Sequence, residues 1–257
     1  MKPFLRARWE DIGIVLALLT RVPTGSLPSS GEAGALGRAV WAYPLVGALV
    51  GGVGGAVIVA AHAIGIPHLV AALLGLAATI LMTGAFHEDG LADFCDGIGG
   101  GTTPERRLEI MRDSRIGTYG ALALVLSIGL RLAALSSLTS EWPLILVWMS
   151  AGALARASLV VPLGLLIPAR PDGMGAGAAR PPLASCVGAY AIAGGLSLAA
   201  LSGEGLVLIG VSLAAGLVVA LIARRMLNGY TGDVLGATVQ VSEIACLIAA
   251  CTRWSLS

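Results

Sequence analysis

VWAYPLVGALVGGVGGAVIVAAH, from Val40 to His62, contains no Asp, Glu, Lys or Arg over its whole length. About 20 predominantly apolar residues suffice for a helix to cross the hydrocarbon core of a bilayer, so this stretch reads as a transmembrane helix. Comparable runs near residues 68–86, 118–138, 142–166, 185–202, 204–224 and 236–252 bring the count to seven spans. The run Ile12 to Leu19 is too short to cross and ends at Pro23, so it reads as an interfacial or half-inserted helix. The predicted fold is all-α: a polytopic helical membrane bundle, one domain over residues 1–257, with Gly47, Gly51 and Gly55 at i+4 spacing as a close-packing stripe.

Composition supports this. The chain is 56% hydrophobic and 12% charged with a mean hydropathy of +0.88, which leaves too little polar surface for a soluble domain of 257 residues. The net charge is +1 and no basic block occurs, so nucleic acid is not an expected partner; membrane lipid is. Of 16 basic residues only Lys2 is lysine, a bias towards the side chain that binds phosphate in bidentate fashion, although high genomic GC content accounts for it equally well. Cys95, Cys186, Cys246 and Cys251 form no paired motif and are expected as free thiols. No small-residue cleavage site precedes Pro23, so the start of the chain is expected in the mature protein.

The connections sort by length. Residues 20–39, 87–117, 167–184 and 225–235 emerge on one face, and the turns at Gly65-Ile66-Pro67, Ser140-Glu141 and Ser202-Gly203 on the other. Most basic residues lie on the long-loop side, which the positive-inside rule places in the cytoplasm.

On that side His87-Glu88-Asp89-Gly90-Leu91-Ala92-Asp93-Phe94-Cys95-Asp96-Gly97 holds four carboxylates within nine residues. Carboxylates so close repel one another unless a cation sits among them. On a helix Asp89, Asp93 and Asp96 share one face at i, i+4 and i+7, with Glu88 turned about 100° away. Hard oxygen ligands suit Mg²⁺, with Mn²⁺ as the alternative ion, and such ions take further ligands from substrate phosphates. A short helix is expected from Pro104, ending in Arg112-Asp113-Ser114-Arg115 before Gly117. The loop Pro168-Ala169-Arg170-Pro171-Asp172-Gly173-Met174-Gly175 offers one arginine. Asn228-Gly229-Tyr230-Thr231-Gly232-Asp233 leads into a helix N-terminus, a favourable place for an anion, where Asp233 fits only if a metal intervenes. Inside the spans Arg131, Arg156, Gln240 and Glu243 are costly to bury and are candidates either for substrate contact or for internal pairing such as Arg with Glu243. His87 could serve as base, ligand or orienter of Asp89.

Phe86-His87-x-Asp89-Gly90-Leu91-Ala92-Asp93-x-x-Asp96-Gly97, Glu109-Ile110-Met111-Arg112-Asp113-Ser114-Arg115-Ile116-Gly117-Thr118 and Gly232-Asp233-Val234-Leu235-Gly236-Ala237 closely resemble the cobalamin synthase (adenosylcobinamide-GDP ribazoletransferase) family. Thr20-Arg21-Val22-Pro23 and Tyr43-Pro44-Leu45-Val46-Gly47 resemble its N-terminal signatures. The likeness implies a Mg²⁺-dependent enzyme of the bacterial inner membrane that joins adenosylcobinamide-GDP to α-ribazole or its 5′-phosphate and releases GMP. On this reading Asp89, Asp93, Asp96 and Asp233 bind metal, and His87 and Asp113 join the aspartates of the first motif as catalytic candidates. Arg21, Arg112, Ser114, Arg115, Arg156, Arg170 and Thr231 are the substrate-binding set, and homo-oligomerisation is compatible with it. Two positions depart from the family pattern: Glu88 stands where an apolar residue is usual, and Gln240 where a glutamate is common. Two other classes are weighed beside it, a CDP-alcohol type membrane phosphotransferase, echoed by the Asp-Gly pair at Asp89-Gly90, and a divalent-cation or substrate transporter. A transporter would place its carboxylates at mid-membrane rather than at a span end.

Overall fold

The computed structural model describes residues 3–24, 34–138, 141–170 and 180–254. All regular elements among them are helical. In chain order they are α1 (Pro3–Leu19), α2 (Ala35–Arg38) running through a 3₁₀ turn into α3 (Tyr43–Ala63), α4 (His68–Thr83), α5 (Phe86–Gly100) and α6 (Pro104–Ile110). Then come α7 (Thr118–Ser137), α8 (Glu141–Ala157), α9 (Val160–Leu165), α10 (Leu183–Leu201), α11 (Glu204–Leu227) and α12 (Gly232–Trp254).

Six segments are long and apolar enough to cross a membrane: Ala35–Ala63, Thr118–Ser137, Pro143–Leu165, Leu183–Leu201, Glu204–Leu227 and Gly232–Thr252. The seventh expected span is the bent pair α4 and α5, which meet at 87°. Two arms at that angle cannot both run across a bilayer, so apolar α4 is the crossing arm and acidic α5 lies across the end of the bundle. The break has a local cause. Gly84 is left-handed at φ 64°, and the Ala85 N–H reaches back to the Ile80 carbonyl at 2.9 Å, a helix-terminating pattern that leaves Ala85 itself at φ 56°.

The remaining spans follow the hydropathy with small shifts. The fourth expected span, near 142–166, is broken at Ser158 and Leu159 between α8 and α9. The N-terminal helix begins at Pro3, well before Ile12. It is tied down by Asp11, whose buried carboxylate accepts from Arg38 Nε at 2.9 Å and Trp41 Nε1 at 2.8 Å and also pairs with Arg8.

The glycine stripe does what its spacing suggests. A side chain on Gly47 would strike the Gly152 carbonyl, and one on Gly51 the Trp148 carbonyl, so α3 and α8 touch backbone to backbone. Around this contact the core closes on Trp148, Leu144, Leu154, Ile58 and Leu247, all buried.

Candidate functional site

The site begins where α5 crosses the start of α12. Gly90 and Gly236 face each other so closely that a Cβ on Gly90 would lie 3.1 Å from the Gly236 Cα and 3.2 Å from the Asp233 Cα. Two glycines therefore let the backbones meet, and that contact lays Asp89 and Asp93 beside Asp233. Asp89 is exposed, and Asp93 and Asp233 are half-buried, so the carboxylates open to solvent from one face.

Their mutual repulsion is visible at Asp93. Partial burial, then the charges of Asp89, Asp233 and Asp96, push its carboxyl up to about 7 against a smaller opposing pull from Arg170. Thr231 caps α12: its hydroxyl accepts from the Val234 N–H at 3.3 Å and donates to Asp233 Oδ2 at 3.1 Å. Among the described residues no three His, Cys, Asp or Glu side chains converge tightly enough to hold a metal ion as they stand. The donor chemistry of Asp89, Asp93 and Asp233 nevertheless fits a hard dication: three carboxylate side chains from two facing helices, whose mutual repulsion a cation would relieve.

Arg170 is delivered to this face by a backbone bridge. Tyr230 N–H bonds the Ile167 carbonyl at 2.9 Å and Ala169 N–H bonds the Tyr230 carbonyl at 2.8 Å, which fixes the segment after α9 against the start of α12. The Arg170 guanidinium also donates to the Leu108 carbonyl on α6. Pro171 to Gly175, the rest of that expected loop, lies outside the described residues.

Helix α6 starts at Pro104 as expected, with Thr103 as its cap, but ends at Ile110. Arg112, Ser114 and Arg115 therefore sit on an exposed turn. Asp113 is not aimed at the aspartates: Arg115 grips it through Nη2 at 2.6 Å and Nε at 3.0 Å and holds its carboxyl down at about 2. Arg21 is exposed, with its side chain lying over Gly84 at the α4–α5 break.

Three residues grouped with the site by sequence have other occupations. Asp96 turns to α7, its two oxygens accepting the N–H groups of Gly117 at 2.7 Å and Gly120 at 2.8 Å, so it anchors a helix N-terminus. His87 is 2% exposed and faces the bundle interior, away from the exposed aspartates, so it does not reach the solvent-facing site as a base. Arg156 is buried against Glu243, Nη1 to Oε2 at 2.6 Å, which is the internal pairing left open above. Helix periodicity places Asp96 near Asp89 and Asp93 but carries no information on which neighbour an oxygen will meet. Gly90 and Gly236, missed as functional positions, have only their small size as a signal.

A family model described as cobalamin-5-phosphate synthase matches residues 11–251. A protein of Bradyrhizobium diazoefficiens named adenosylcobinamide-GDP ribazoletransferase is 47% identical over 242 residues, covering 93% of this chain and 92% of that protein. Proteins of the same name from Azorhizobium caulinodans and Mesorhizobium japonicum are 43% and 41% identical, covering 93% and 94% of this chain and 94% and 92% of their own lengths. No solved structure matches.

Proposed function

Since this chain belongs to the cobalamin-5-phosphate synthase family, we propose that the aspartate face shared by α5 and α12 is where it carries out ribazole transfer. The reaction joins adenosylcobinamide-GDP to α-ribazole or its 5′-phosphate and releases GMP. A hydroxyl of the ribazole attacks the phosphorus bound to cobinamide, the phosphoanhydride bond breaks, and the leaving group is GMP.

Such a transfer needs negative charge neutralised on the diphosphate and a proton removed from the attacking hydroxyl. Asp89, Asp93 and Asp233 would hold Mg²⁺, which supplies charge neutralisation on the phosphates when bound. Arg170, fixed by the 167–230 bridge beside Asp93 and Asp233, is placed to bind a phosphate oxygen, and the exposed Arg112 adds to that cationic rim. The hydroxyl proton would be taken up on the carboxylate face, by a carboxylate oxygen that is not holding the ion. His87, Asp96 and Arg156 support the fold around the site, and Asp113 is occupied by Arg115. By the positive-inside rule the face opens to the cytoplasm of a bacterial inner membrane.

The observation that carries this reading is the Gly90–Gly236 contact, which sets carboxylates of two distant segments side by side at the solvent-facing end of a membrane bundle. The test is to incubate purified protein in nanodiscs with adenosylcobinamide-GDP, α-ribazole and Mg²⁺ and to follow GMP and the cobalamin product. Both should appear in equal amounts and vanish on chelation. Product formation that is indifferent to chelation and to loss of Asp89, Asp93 and Asp233 would overturn the assignment.

A further inference from the structure

Behind the aspartate face lies a buried cluster of charges that the transfer chemistry leaves unused. Glu88 Oε1 accepts from Arg131 Nη1 on α7 and from Gln240 Nε2 on α12, each at 3.0 Å, and Gln240 Oε1 accepts from the Ser127 hydroxyl at 3.0 Å. One turn deeper, Glu243 takes Arg156 and the Trp148 indole N–H at 3.2 Å. Arg131, Glu88 and Gln240 are all less than a tenth exposed. Two acids face two arginines, so the cluster is neutral, but ions buried inside a membrane bundle are costly and are retained where they do something.

The cluster surrounds a cavity of about 10 Å³, close to the room one water needs. Glu88 Oε2, Arg131 Nη2 and both His87 ring nitrogens are buried at its edge without a hydrogen-bond partner among the described residues.

Towards Gly100, helix α5 is held by Asp96 on the start of α7; at the end that bears Asp89 it has less to fix its rotation. It carries four glycines in 15 residues, and its contact with α12 is glycine on glycine. Apolar contacts of that kind are not directional, whereas a carboxylate gripped by two donors from two helices is. Adjacent residues on a helix point about 100° apart, so whatever fixes Glu88 inwards also fixes Asp89, and with it Asp93 one turn on, outwards.

We propose that Glu88, gripped by Arg131 and Gln240, is the positioning residue that, together with Asp96 at the other end of the helix, sets the rotation of α5 and thereby turns Asp89 and Asp93 towards Asp233. Its importance for transfer rests on the metal reading above, but its effect on geometry does not. The discriminating variant is Glu88→Leu with Arg131→Leu, which removes both charges together and leaves neither buried alone.

Two readouts are taken. The first is metal-free: with the native cysteines replaced by alanine, Asp93→Cys and Asp233→Cys are joined by a short bifunctional maleimide and the linked peptide is quantified by mass spectrometry. The second is Mn²⁺ binding to the otherwise unaltered protein, read by electron paramagnetic resonance. With Glu88 and Arg131 present the cross-link should form readily; in the Leu/Leu variant, melting within a few degrees of wild type, its yield should fall at least fivefold and Mn²⁺ affinity at least tenfold. An unchanged cross-link yield in the folded variant overturns the proposal, as does failure of the parent pair to link. Should the Leu/Leu variant not fold, Gln240→Leu takes its place, removing one donor and no charge; it should lower the yield about twofold, and an unchanged yield again overturns the proposal. Absence of Mn²⁺ binding in wild type alongside the expected cross-linking would instead count against the metal reading.

Discussion

Replacing Asp96 by Asn separates two roles that the sequence cannot distinguish, metal ligand and helix anchor. The carboxylate holds Gly117 N–H at 2.7 Å and Gly120 N–H at 2.8 Å, and it fills the space that a Cβ on either glycine would need. An amide keeps one acceptor oxygen and turns an NH₂ group against the other N–H. One hydrogen bond to a charged acceptor is lost, about 1.5–3 kcal/mol, together with a favourable anion at a helix N-terminus, about 0.3–1 kcal/mol. The expected destabilisation is therefore on the order of 2–4 kcal/mol, the sum of those two effects. Thermal unfolding of the purified protein in detergent, scanned with and without Mg²⁺, reads the loss directly. It should be the same in both conditions, while Mn²⁺ affinity stays within about threefold of wild type. A variant that melts like wild type but has lost dication binding would refute the anchoring role and return Asp96 to the metal site.

Because Asp93 is held near 7, protons compete with a dication below that pH. Metal affinity should rise about tenfold per pH unit up to about 7 and flatten above it, with roughly one proton released per ion bound below 7; calorimetry in buffers of different ionisation enthalpy would show this, and a pH-independent affinity between 5 and 7 would contradict it. Gly152→Val drives a side chain into the Gly47 carbonyl and should cost about 1–3 kcal/mol or more of stability, whereas Gly129→Val, at a position with open space around it, should melt close to wild type.

The membrane bundle was legible because apolar length is a property of the sequence itself, and the six long apolar helices among the described residues were located in this way, with the bent α4–α5 pair where the remaining span was expected. The aspartate face was legible in part for a similar reason: the i, i+4 spacing of Asp89 and Asp93 survives any arrangement of neighbours. Asp96, one turn further on, shows where that logic stops. Its periodicity is correct, but the N-terminus of α7 claims its oxygens, and only tertiary packing decides that. His87 and Arg156 face inward for the same reason, since inward or outward rotation depends on what the helix packs against. The 87° break at Gly84 and Ala85, which lays α5 across the bundle end, rests on a left-handed alanine that no composition rule would favour.

The most direct test of the central claim is Mn²⁺ titration of wild type, Asp93→Asn and Asp233→Asn, each confirmed as folded and membrane-inserted, together with GMP release under saturating substrates. One α5 aspartate and one α12 aspartate that share an ion should each lose at least tenfold in affinity when neutralised, and GMP release should fall in parallel. Wild-type affinity and turnover in either variant would contradict a shared ion between the two helices.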